Sequence, residues 1–69
     1  MNKHSITING HRTSYSLEEE FQQELELIAI KRSIPMARLI TSIDTKRGDG
    51  TNLSSALRLF VLREIKSAN

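Results

Sequence analysis

The sequence predicts a small, mostly helical α+β fold: a β-hairpin followed by three helices, assembled as a homodimer. Three observations predict it. Two short stretches of period-two patterning flank Asn9-Gly10. Three later segments repeat apolar residues at helical spacing, separated by Ser33-Ile34-Pro35 and by Gly48-Asp49-Gly50-Thr51. Finally, 69 residues without cysteine can form one domain, 1–69, whose core is marginal without a disulfide, a metal or a second subunit. A lone strand cannot satisfy its own backbone donors and acceptors, so it needs another strand, nearby in sequence or on a second copy.

The hairpin is expected over 4–17. Both central residues of a type I′ turn need positive φ, which Asn9 and Gly10 tolerate. A two-residue loop pairs Ile8 with His11, Thr7 with Arg12, Ile6 with Thr13 and Ser5 with Ser14. Ile6, Ile8, His11, Thr13, Tyr15 and Leu17 then share one face, while Ser5, Thr7, Arg12, Ser14 and Ser16 share the other. One face is mainly apolar and the other wholly polar, so the register is self-consistent.

The first helix is expected over 18–33. Ser16-Leu17-Glu18-Glu19 fits a capping box, and Phe21, Leu25, Ile28 and Ala29 form the apolar stripe, widened by Leu27 and Ile30. Pro35 ends it, because the residue before proline is pushed out of helical geometry. The second helix is expected over 36–47, with Pro35 suited to a first helical position and Met36, Leu39, Ile40 and Ile43 on its apolar face. The third, 53–67, is capped by Asn52 or Thr51 and carries Leu53, Ala56, Leu57, Phe60, Val61 and Ile65.

Charge is segregated along the chain. Residues 1–17 carry Lys3 and Arg12 and no acid, residues 18–26 carry five glutamates, and residues 27–69 carry eight basic residues against Asp44, Asp49 and Glu64. A fold with one basic and one acidic face would present such a pattern, and a basic face attracts a polyanion. Helix-dipole preference, with acids at N-termini and bases at C-termini, explains part of the same pattern.

Chemistry finds little support. His4 and His11 share a face but lie several residue pairs apart, so they serve packing or surface hydrogen bonding and not a metal. The serines lack a base and an orienting acid held in a cleft. The glutamates read as a solvated helix start and match no calcium loop. No enzyme, cofactor or metal is expected. No apolar run is long enough to span a membrane and no export signal is visible, so the expected location is cytoplasmic.

Ser16-Leu-Glu-Glu-Glu-Phe with Leu25, Ile28 and Ala29, then Ile34, then Leu39-Ile40, resembles the ribbon-helix-helix family of small DNA-binding proteins. The leading Gly10 to Ser14 (Gly-His-Arg-Thr-Ser) and the trailing Asn52 to Arg58 (Asn-Leu-Ser-Ser-Ala-Leu-Arg) resemble a bacterial branch of that family with an extra C-terminal helix. The resemblance implies a homodimer in which segment 11–17 pairs antiparallel with its copy and the ribbon enters the DNA major groove, for transcriptional regulation. It implies groove-facing Arg12, Ser14 and Ser16, with phosphate contacts from Lys3, Arg38 and the start of the second helix at Met36. It also implies a core and dimer interface of Thr13, Tyr15, Leu17, Phe21, Leu25, Ile28, Leu39, Ile40 and Ile43. Ser16 has a competing role as the cap of the first helix.

Three features depart from the family pattern. Pro35 stands where a capping hydroxyl is usual, which weakens a phosphate clamp. The reading face has one long side chain, Arg12, where base recognition prefers several. And if residues 4–8 add an outer strand to each copy, four strands at about 4.8 Å spacing span roughly 14 Å, against a major groove about 12 Å wide. The alternative is a homodimeric, antitoxin-like or partner-binding module that does not read DNA. In either case the third helix, which a two-helix member of the family does not need, caps the dimer core, builds a higher oligomer or docks a partner protein, and capping the core is the favoured role.

Overall fold

The computed structural model describes residues 1–68. Two strands, β1 (Asn2–Ile8) and β2 (His11–Leu17), are followed by α1 (Glu19–Lys31), α2 (Met36–Lys46) and α3 (Leu53–Ala68). The fold is the expected mostly helical α+β arrangement of hairpin plus three helices.

β1 and β2 pair antiparallel from Ile8↔His11 to Asn2↔Leu17. Asn9 and Gly10 take φ of 51° and 81°, the positive values that a type I′ turn demands. Pairing extends to Asn2, two residues beyond the expected start, because β2 runs to Leu17 and offers a partner for each earlier residue.

That extension displaces the expected capping box. Leu17 remains in the ladder, and Glu18 (φ −61°, ψ 146°) is the N-cap of α1, with no side-chain cap bond. Ser16 therefore does not cap the helix; its backbone N–H donates instead to the Ser54 hydroxyl on α3, at 3.1 Å.

The far end of α1 closes with a Schellman motif. Ser33 sits at φ 57°, its N–H donates to the Ile30 carbonyl and the Ile34 N–H donates to the Ala29 carbonyl, both at 3.0 Å. Pro35 is the N-cap of α2, not its first helical residue: at ψ 151° its backbone is extended, and its carbonyl accepts from the Arg38 and Leu39 amides, both at 3.1 Å. At α3, Asn52 Oδ1 accepts the Ser55 amide at 2.8 Å, which satisfies one orphan donor of the first turn.

The core lies between the inner face of the hairpin and the helices. Leu17, Leu25, Leu39, Ile40, Leu57 and Val61 are fully buried, and Ile8, Tyr15, Ala29, Ile43, Leu53 and Ala56 are nearly so. Each large side chain removed from water contributes on the order of 1.5–3 kcal/mol. α3 packs on β2, α1 and α2, and supplies Leu57 and Val61 at the centre. The apolar side of the strand around Tyr15 is thus covered within the protomer. Thr13, Phe21 and Ile28 are half-buried at its margin.

Candidate nucleic-acid interface

Strand alternation decides which side chains leave the core. On β2, Tyr15 and Leu17 are buried and Thr13 half-buried, whereas Arg12 and Ser14 are exposed and Ser16 is half-buried. On β1, Lys3, Ser5 and Thr7 are exposed. The register sets Lys3 opposite Ser16, Ser5 opposite Ser14 and Thr7 opposite Arg12. Cross-strand neighbours share a face, so these residues form one outward surface of two cations and four hydroxyls, with no carboxylate.

The cations of this surface are uncommitted. The ion pairs among the described residues are Arg32–Glu64, Arg47–Asp44 and Arg58–Glu18; Lys3, Arg12 and Arg38 take part in none of them. The acids nearest in sequence to β2 are held elsewhere. Glu18 Oε1 accepts from Arg58 Nε at 2.8 Å, and this guanidinium contact holds the Glu18 carboxyl below the ordinary carboxylate range. Glu19 accepts from Asn2 Nδ2 at 2.8 Å.

α2 packs against β1. Its N-terminus has no side-chain cap, and its Met36 and Ala37 amides are first-turn donors without an intrahelical acceptor. Met36 is half-buried among core residues, so what it offers outward is the amide. Arg38 is exposed.

The backbone edge of β2 is equally open. A two-residue loop makes Ile8 and His11 a hydrogen-bonded pair, so Thr13, Tyr15 and Leu17 also turn their N–H and C=O toward β1. Arg12, Ser14 and Ser16 turn theirs away. Ser54 occupies the Ser16 N–H, which leaves the groups of Arg12 and Ser14 facing outward.

A hairpin with an acid-free outer face, an open strand edge and two helices joined at a Ser-Ile-Pro break agrees with the comparison of the chain with known families. The ribbon-helix-helix domain model matches residues 1–65. The chain belongs to the ribbon-helix-helix domain family. The match includes β1 and most of α3, so both lie inside the family's span. Ribbon-helix-helix domains are non-enzymatic, and they typically dimerise and bind DNA. No curated protein and no solved structure matches the chain. Among the described residues, no helix is long and apolar enough to cross a membrane, and no group of three potential metal ligands gathers.

Several residues that shape the site escape sequence reasoning. Ser54 and Arg58 on α3 reach Ser16 and Glu18 across 38 and 40 residues, and no local pattern announces such contacts. Gln22 is buried in α1, where its Oε1 accepts the Tyr15 hydroxyl at 2.9 Å. Its only sequence signal is a polar residue beside the apolar stripe.

Proposed function

We propose that this ribbon-helix-helix domain is a transcriptional regulator that binds double-stranded DNA as a homodimer joined through the outer edges of two β2 strands. The observation that carries the reading is the outward hairpin face, Lys3, Ser5, Thr7, Arg12, Ser14 and Ser16, which bears two unpaired cations and no acid. A polyanion gains there from counterion release without displacing a carboxylate.

Arg12 and Ser14 approach base edges, Ser16 lies at the ribbon's flank, and Lys3, Arg38 and the Met36 amide hold phosphates. With one arginine and small hydroxyls in the groove, phosphate contacts supply most of the affinity, and selectivity is low.

β1 determines how the face meets the duplex. Four strands are wider than the groove, but neighbouring strands rotate by about 20–25°, so each β1 turns by that much from the β2 beside it and the two outer strands stand roughly 60–75° to each other. The inner β2 pair then enters the groove while β1 rides over the flanking phosphates. Titration of isotope-labelled protein with a random duplex, followed by amide chemical shifts, tests this. Shifts should centre on Lys3, Ser5, Thr7, Arg12, Ser14 and Met36. Shifts centred on α3, or none at low salt, would refute the reading.

A second reading, a protein-interaction module, is favoured by one specific feature. A groove of about 400 Å³ between α1 and α3 is lined by the apolar Leu27, Ile28, Ile30, Ile65 and Ala68 and by the charged Glu24, Lys31, Arg32 and Glu64, and Ile30 is 72% exposed. The same titration separates the readings, since a module without DNA affinity leaves the hairpin amides unmoved.

A further inference from the structure

At the other end of α2 from the candidate DNA contacts, a second cavity of about 260 Å³ opens between α2 and α3. Its floor is apolar: Ile43 and Ala56 are buried and Phe60 is half-buried. Its rim carries Arg32, Lys46, Arg47 and Arg63, and no carboxylate lines it. The eleven residues of α2 set it roughly 15 Å from Pro35 along the helix.

Two of these cations are already held. Arg32 Nη2 donates to Glu64 Oε1 at 2.7 Å, and its guanidinium carbon lies 5.3 Å from the centroid of the Phe60 ring. Arg47 pairs with Asp44 and donates through Nη1 to the Thr51 carbonyl at 2.6 Å, which ties the loop after α2 into the cavity wall. Lys46 on α2 and Arg63 on α3 have no acidic partner among the described residues. Two uncompensated positive charges thus flank an apolar floor from different helices. Lys46 is in the last turn of α2, where the helix dipole favours a cation. The same argument covers Arg32, the C-cap of α1, but it does not reach Arg63, within α3.

We propose that this cavity binds a small organic anion: a carboxylate, sulfonate or phosphate carried on a compact apolar body. The anion neutralises Lys46 and Arg63, and the body covers Ile43, Ala56 and Phe60. A site of this composition, apolar with a few convergent polar groups, is the common form of a small-molecule pocket, and its volume falls just below the usual range of about 300–1,000 Å³, which selects a ligand of one or two rings. DNA phosphate suits it poorly, because a phosphodiester offers nothing to cover the apolar floor.

The test is an amide-shift titration of the full chain with naphthoate, set against uncharged naphthamide. Naphthoate should give saturable shifts at Ile43, Gly48, Thr51, Ala56 and Phe60, and naphthamide should bind at least roughly tenfold more weakly. The double variant Lys46→Gln/Arg63→Gln, whose own spectrum reports whether it folds, should lose affinity for naphthoate by a similar factor while keeping any affinity for duplex DNA. Absence of saturation, equal binding of naphthamide or undiminished binding by the double variant would each overturn the proposal. So would shifts confined to Leu27 and Ile30, or displacement of naphthoate by duplex DNA.

Discussion

The Ser16 backbone N–H donates to the Ser54 hydroxyl at 3.1 Å, and in the proposed β2–β2 dimer this bond sets the register. With Ser16 engaged, two β2 edges complete their hydrogen bonds through Arg12 and Ser14 alone only if the two-fold axis passes between the Thr13 residues of the two copies. An axis at Ser14 or Tyr15 would require the Ser16 N–H and hence the loss of the Ser54 contact.

Cross-linking reads this register directly. The chain has no cysteine. Facing Thr13 residues would form a non-hydrogen-bonded pair with Cα atoms about 4.5 Å apart, within disulfide reach, whereas the two Ser14 Cα atoms would stand roughly 8 Å apart, beyond it. Thr13→Cys should therefore oxidise to a covalent dimer and Ser14→Cys should remain a single chain on a non-reducing gel. The opposite pattern would move the axis.

Ser33 holds the left-handed position of the Schellman motif at φ 57°, where a β-carbon is disfavoured. Ser33→Gly should raise stability by about 0.5–1 kcal/mol in urea unfolding. A destabilised variant would mean that the serine side chain supports the turn.

The His4 ring stacks on Tyr15 with centroids 5.2 Å apart, while its buried Nε2 has no hydrogen-bond partner among the described residues. An unsatisfied buried polar atom costs about 1–3 kcal/mol. His4→Phe keeps the stack and removes that atom, so it should raise the unfolding free energy by about 1 kcal/mol. A loss of stability would show that the nitrogen is satisfied.

Burial raises the Tyr15 hydroxyl above its ordinary pKa of 10.0, and the Glu26 charge adds to this. Because the folded state holds the proton more tightly, this stabilisation is complete below the unfolded value and is lost as pH rises through the folded one. The melting temperature of the wild type should fall above pH 10.0, and Tyr15→Phe should flatten that alkaline limb. Parallel limbs in both proteins would assign the loss to other groups.

What could be read from sequence follows the range of the forces involved. Asn9-Gly10 and the alternation after it are local, and they yielded the hairpin register in advance. The helical spacing of Leu39, Ile40 and Ile43 likewise identified residues that are buried. Ser16-to-Glu19 misled because a capping box is a local pattern, whereas the pairing of Leu17 with Asn2 and the reach of Ser54 are tertiary effects. The same limit applies to the cavity. Arg32, Lys46, Arg47 and Arg63 converge only once α3 has folded over α2. α3 itself was legible, but its place at the centre of the protomer, covering the hairpin, was not.

The salt dependence of duplex binding tests the central claim most directly. Affinity of the wild type for a random duplex should fall steeply with salt, and Arg12→Ala, which removes one cation from each protomer, should lower both the affinity and the log–log slope, the latter by about one to two. An unchanged slope in Arg12→Ala, or no salt-dependent binding by the wild type, would contradict the claim that the outer hairpin face lies against DNA.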